Sequence, residues 1–261
     1  MAMYSHSKIS TFEQCPLKFK FRYIEKIVPD IEKSIELHLG NMVHRALEWL
    51  YIQVMNKKIP SIEDVIAYYS NQWEEHYLPD IVIVRKNLTE KDYFNKGVEF
   101  LVNYYLKHKP FDENTLEIEK RIVLDLDKDG EYKIQGFIDR LSYNLQTKEY
   151  EIHDYKTANN LPQQEKIDND RQLALYSIAI KNLFGQDKEV CLIWHFLAHD
   201  KRICSKRTNE QLENLKKETI ESIKKIESEK IFPYNKTRLC DWCEYRTICP
   251  AFSDCSGQKI S

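Results

Sequence analysis

Asp154 and Lys156 lie two residues apart in "IHDYKT". On a β-strand, where side chains alternate between faces, that spacing sets a carboxylate and an ammonium side by side. Fifteen residues earlier Asp139 sits in "QGFIDRL" at the end of another strand-like segment, and a hairpin between the two brings its carboxylate beside Asp154. Paired carboxylates are hard oxygen ligands for Mg²⁺ or Mn²⁺. Such an ion polarises a phosphate and lowers the pKa of a bound water, and a neighbouring lysine positions that water or neutralises charge on the phosphate. Taken alone, Asp154 and Lys156 also read as a strand-end ion pair worth about 0 to 1 kcal/mol. Asp139 and the helix that follows favour the chemical reading.

That helix carries "DRQLALY", in which Gln172 and Tyr176 are four apart and share a face, with Arg171 adjacent. An amide, a phenol and a guanidinium there suit a nucleic-acid backbone, and the phenol suits stacking on a base. Upstream, His44 in "GNMVHRALEWL" is either a core histidine or a nitrogen ligand. His195 and His199 in "HFLAH" lack the glutamate of H-E-x-x-H, fall in a predicted strand and read as structural.

A second constellation is built from thiols. "CDWCEYRTICP" spaces Cys240, Cys243 and Cys249 closely, and Cys15 precedes a proline far upstream. Four thiolates hold either zinc or an iron–sulfur cluster, and spacing alone does not choose between them. Cys191 reads as core, Cys204 is left over, and Cys255 is a substitute ligand.

The elements that must position these groups follow from periodicity. "SKISTFEQCPLKFKFRYIEK" shows a capping-box pattern at Ser10 and Glu13 and reads as a first helix, with Lys18, Lys20 and Arg22 as a basic face able to supply a local positive groove. Three further amphipathic segments make the first 110 residues mostly helical. From Thr115 the pattern changes to three strands of an antiparallel meander, with a turn at Asp129-Gly130. A helix, a strand, a charged helix and an irregular cysteine-rich tail from Ile231 complete the chain. A mixed central sheet flanked by helices is expected, organised as a helical region (1–110), a core (111–230) and a cysteine-rich segment (231–261).

Composition limits the alternatives. With a net charge of −2 there is no global positive field, so any nucleic-acid site is local. None of the six glycines forms a phosphate-cradling G-x-x-x-x-G-K-[ST] or G-x-G-x-x-G loop. No apolar run reaches membrane-spanning length and no export signal is read, so the expected location is the cytoplasm, without membrane association.

The ordered set His44, "GFIDR", "HDYKT" and "QLALY", with the N-terminal "SKISTFEQCPLKFKFRYI", resembles the RecB-like branch of the PD-(D/E)XK nuclease superfamily over nearly the whole chain. The resemblance implies an αβββαβ restriction-endonuclease-like α/β core. It also implies Asp139 and Asp154 as ligands of Mg²⁺ or Mn²⁺, Lys156 as the catalytic lysine, and the Tyr155 carbonyl and His44 as further ligands. Position 154 is Asp where many relatives have Glu. In similar CRISPR-associated and AddB-type nucleases, one cysteine before the core and three after it ligate a [4Fe-4S] cluster, which matches Cys15, Cys240, Cys243 and Cys249. The implied activity is hydrolysis of DNA, as single strands or free ends, in repair, recombination or CRISPR adaptation. The rival expectation is a catalytically silent scaffold subunit with protein partners in such a complex.

Overall fold

The computed structural model describes residues 3–29, 34–78 and 80–252. Strand β1 (Met3–Tyr4) leads into α1 (His6–Gln14) and α2 (Pro16–Phe19), followed by a π-helical turn at Lys20–Ile24. Helices α3 (Ile35–Met55), α4 (Ile62–Glu75) and α5 (Glu90–His108) precede the meander of β2 (Thr115–Asp125), β3 (Lys133–Asn144) and β4 (Glu149–Lys156). Then come α6 (Gln164–Asp168), α7 (Arg171–Phe184), β5 (Val190–Phe196), β6 (Lys201–Ser205) and α8 (Asn209–Ser228).

Local chemistry sets most of these boundaries. Ser61 with Asp64 and Thr89 with Asp92 form reciprocal capping boxes at α4 and α5, each satisfying orphan N–H groups of a first turn. The expected box at Ser10 and Glu13 does not form. Ser5 caps α1 instead, accepting from the Lys8 amide, and the first helix breaks at Cys15, held extended ahead of Pro16, which starts α2. The segment read as one helix before β5 is likewise two, because the Asp170 side chain accepts from the Gln172 and Leu173 amides and starts α7 afresh. The strand expected through His199 ends at Phe196; His199 lies in a 3₁₀ turn that leads to β6. Neither β6 nor β1 announces itself in the sequence, each being short.

The strands make one mixed sheet in the order β1-β3-β4-β5-β6, with β2 also paired to β3. β2-β3-β4 is antiparallel, as expected from the turn at Gly130 (φ +67°), while β4 and β5 run parallel with α6 and α7 between them. One face packs on α1, α7 and α8 around Ile134, Ile138, Leu141, Ile152 and Trp194; the other carries α3, α4 and α5 around Leu47, Tyr51, Tyr104 and Tyr155. Tyr4, Ile9 and Phe12 belong to the α7 layer, so the helices before residue 110 divide between the two layers. Among the described residues no helix is long and apolar enough to cross a membrane.

One irregularity positions the site. Ile138 and Leu141 both face the α7 layer although three residues apart, so strand alternation slips between them, at Asp139 and Arg140. In the neighbouring strand Ile118 packs on the α3 layer and Ile122 on the α7 layer, four apart on opposite faces, and Glu119 between them has φ +46°. Both strands deform at the same level, as ribbons do beside active sites.

Candidate functional site

The pairing of Arg140 with His153 and Leu141 with Ile152, continued by one residue, sets Asp139 opposite Asp154. Asp154 is 4% exposed. Its Oδ1 accepts from Lys156 Nζ at 2.9 Å, and its Oδ2 lies 2.7 Å from the same ammonium but has no aligned donor. Burial alone would lower the Lys156 pKa, but Asp154 outweighs it and the pKa is raised. Lys156 Nζ also reaches Gln172 Oε1 on α7, at 3.4 Å.

Asp139 turns toward the α3 layer. Its Oδ2 accepts from the Tyr155 amide at 2.9 Å and lies 3.5 Å from His44 Nδ1, while His44 Nε2 donates to the Tyr155 carbonyl at 2.7 Å. A histidine ring, a carboxylate and a backbone carbonyl thus converge there, a donor set that suits a divalent cation.

The sequence reading missed Glu119. Its carboxylate, His44 and Asp139 place one ligand atom each within 4.8 Å of one another, and they line a recess of about 200 Å³ with Glu48 and Tyr155. Burial, then Asp139 and Glu48, raise the Glu119 pKa to about 7 against the opposing pull of His44. Burial likewise raises Asp139 to about 6, with Asp154 adding to the rise and His44 reducing it. Acids crowded into a part-buried recess are poised to lose their protons to a divalent cation. In sequence Glu119 is one of several acids in "TLEIEKRIVLDLD"; its cross-strand position opposite Asp139 is the signal, and that requires the register.

On α7, Gln172 faces the lysine as expected, but the neighbouring expectations need correction. The Tyr176 ring is 5% exposed and lies over Gly136, where an added Cβ would come within 2.4 Å of it. No ring face is open to stack on a base, leaving the hydroxyl, whose pKa burial raises, as its polar contribution. Arg171 is held by Glu13 through two bonds of 2.9 and 2.7 Å that clamp α1 to α7. Lys18 and Arg22 both approach Glu244, at 2.7 and 3.7 Å, and Lys20 pairs with Glu25 at 3.1 Å. Lys18 and Arg22 therefore tie the chain ends together, and the positive groove expected of these cations is largely neutralised.

Cys15, Cys240, Cys243 and Cys249 line a single recess of about 550 Å³. The Asn235 amide donates to Cys15 Sγ at 3.5 Å and the Thr237 amide to Cys240 Sγ at 3.4 Å. Cys191 is buried in β5 and Cys204 is exposed on β6; Cys255 lies outside the described residues. His195 is buried against His153, their nitrogens 3.0 Å apart, and burial keeps both well below the usual histidine pKa, hence neutral. His199 bonds the Asn159 carbonyl at 2.9 Å.

Behind the recess, Arg140 is fully buried. It donates to the Tyr155 hydroxyl at 3.1 Å and to His153 Nδ1 at 2.9 Å, and it ion-pairs with Glu113. Its guanidinium also lies over the Tyr51 ring, 4.2 Å from the centroid. This network fixes Tyr155, whose backbone carries the carbonyl and the amide that meet His44 and Asp139.

The family model of the PD-(D/E)XK nuclease superfamily matches residues 3–250. No curated protein matches the chain. Among solved structures, the crystal structure of SSO0001 is similar at a TM-score of 0.38 and 14% identity, covering 83% of this chain and 95% of that one, a likeness too loose to bear on function.

Proposed function

The chain belongs to the PD-(D/E)XK nuclease superfamily, and we propose that it is a Mg²⁺- or Mn²⁺-dependent deoxyribonuclease that hydrolyses single strands or DNA ends. The observation that carries this reading is the convergence of Asp139, Asp154, Lys156, His44 and Glu119 from four elements on one deformed level of the sheet. A silent scaffold has no use for acids crowded this closely, which cost stability unless a cation is bound.

His44, Asp139, Asp154, Glu119 and the Tyr155 carbonyl are the residues that would hold the ion. A divalent cation supplies Lewis acidity toward a phosphate oxygen and a lowered pKa for water. The remaining chemistry falls to the chain. Lys156, fixed by Asp154 and Gln172, places an ammonium where negative charge develops on a phosphate. The Tyr176 hydroxyl and Gln172 amide face the same space and suit phosphate oxygens.

We assign the four cysteines a [4Fe-4S] cluster that joins the chain ends. Supporting it are the four thiols gathered on one recess and the contacts that already lay the tail on the N-terminal helices. These are Leu17 N to the Pro233 carbonyl at 3.1 Å, Asn235 Nδ2 to the Gln14 carbonyl at 2.9 Å and Tyr245 Oη to the Ile27 carbonyl at 3.2 Å. The cluster's task on this reading is structural, with the nuclease working in repair, recombination or CRISPR adaptation.

The deciding experiment incubates anaerobically purified protein with end-labelled single- and double-stranded DNA, with and without Mn²⁺. Metal-dependent shortening of the label, lost in Asp154→Asn, is expected. Intact DNA in every lane would overturn the reading.

A further inference from the structure

The β2–β3 ribbon runs out of the metal recess into solvent, and the side chains on its outer face are unlike those of an ordinary solvated sheet. Beyond Glu119 and Asp139 the next cross-strand pair on that face is Arg121 with Phe137, followed by Val123 with Gln135 and Asp125 with Lys133. The alternate positions, Ile122, Leu124 and Ile134, are buried in the α7 layer. Phe137 is 53% exposed and Val123 49%, because the α3 layer reaches only as far as Ile118. Arg121 donates to the amide oxygen of Gln135 at 3.1 Å and pairs with no carboxylate among the described residues. By contrast Lys133 in the last row is paired to Asp125 at 2.6 Å.

Single exposed apolar side chains are commonplace and need no function. Here three features coincide. An open aromatic ring sits directly across from an unpaired guanidinium. The pair lies on the same face as the acids of the recess. It is one side-chain repeat from them, about 7 Å along the strand, a distance one nucleotide spans.

We propose that Phe137 and Arg121 form a nucleotide subsite on the path out of the metal recess, with a base stacked on the Phe137 ring and its phosphate on the Arg121 guanidinium. The occupant is single-stranded nucleic acid, since a base within a duplex has both faces covered and offers an aromatic ring only its edge. The ring and the cation together supply what the paired Lys18, Lys20, Arg22 and Arg171 do not, a local and uncompensated contact for a polyanion in a chain of net charge −2. This rests on the nuclease reading for the identity of the polymer. It goes beyond that reading in assigning residues that select an unpaired strand. Gln135, bonded to Arg121, is a positioning residue that keeps the guanidinium beside the ring.

The test is fluorescence anisotropy on the whole protein with a short labelled oligothymidylate and a hairpin duplex. Ca²⁺ replaces Mn²⁺, so that the charge of the recess is kept and the probe spared. Phe137→Ala should weaken oligothymidylate binding about tenfold and leave the duplex affinity unchanged. Phe137→Trp should restore binding, and Phe137→Leu, apolar without a π face, should not. Arg121→Ala should reduce the slope of log affinity against log salt by about 1. Phe137→Ala binding like the parent, restoration by Leu as complete as by Trp, or a parent that fails to bind the oligonucleotide would each overturn the subsite. Cleavage in Mn²⁺ separates the two ideas. A parent that binds through Phe137 without cutting sinks the nuclease reading and spares the subsite, whereas a parent that cuts while binding independently of Phe137 does the reverse.

Discussion

Two neighbouring regions on the α3–α5 face of the sheet, at β3 and β4, solve opposite problems with the same residue types. Toward α5, Arg140, His153, Ser142 and Glu151 are buried and, with Glu113, mutually satisfied: Ser142 Oγ donates to Glu151 at 3.1 Å and lies 2.9 Å from His153 Nε2, whose other nitrogen accepts from Arg140. Toward α3, Asp139 and Glu119 crowd their carboxylates beside His44 with few donors to share. A completed buried network rigidifies, and an incomplete one stores a demand for a ligand. Tyr155 belongs to both: its hydroxyl is held by Arg140 and lies 3.2 Å from the Tyr104 hydroxyl, while its backbone faces the recess.

The largest effect should come from the open region. Asp154→Asn is expected to reduce metal-dependent cleavage by about 10²- to 10³-fold while moving the thermal midpoint little, the lost pairing with Lys156 being offset by relief of repulsion with Asp139. A gel assay and a melting curve on one preparation check both halves, and a fall in both would erase the distinction between the two regions.

Glu113→Gln attacks the closed region. It leaves the Arg140 guanidinium buried without its carboxylate, at a cost of about 3 kcal/mol in stability, read by chemical denaturation. The effect carries a pH signature. Burial alone would raise the Glu113 pKa, but the hydrogen bond from His108 and the charge of Arg140 more than offset it and the pKa is depressed. A depressed acid stabilises fully above its unfolded value of about 4.3 and loses that contribution as pH falls toward the folded value. The gap between parent and variant should therefore be constant above about pH 5 and shrink below about pH 4. A gap independent of pH would assign the loss to packing.

Glu119→Gln sharpens the comparison where the sequence was silent. Calorimetry with Mn²⁺ should show affinity lower by about tenfold, with little change in the melting curve. An unchanged affinity would make Glu119 a bystander to His44 and Asp139. The smallest effect is expected of Tyr155→Phe, which removes hydroxyl contacts in the closed region only. It should cost about 1 kcal/mol in denaturation and, because the backbone that meets His44 is kept, lower cleavage only a few-fold. A loss as large as that of Asp154→Asn would mean that the two regions are not separable.

Local pattern determined much of this protein. The spacing of Asp154 and Lys156, the helical period around His44, the shared face of Gln172 and Tyr176, the antiparallel meander and the capping of α4 and α5 are each encoded within a few residues, and alternation or hydrogen bonding to the nearest turn is enough to express them. Gathering Cys15 with Cys240, Cys243 and Cys249 in one recess depends on the whole fold, though their spacing announced the set. What only the tertiary structure decided are the pairings that a chain cannot express locally. The slip at Asp139 and Glu119 turns two carboxylates toward α3. The close approach of Tyr176 to Gly136 removes a stacking face, ion pairs with Glu25 and Glu244 silence the basic residues of the N-terminal segment, and Glu13 holds Arg171 of α7. The physical reason is common to them: a side chain's charge, exposure and free hydrogen-bonding capacity depend on what lies across the strand or the layer, and those partners are distant in sequence.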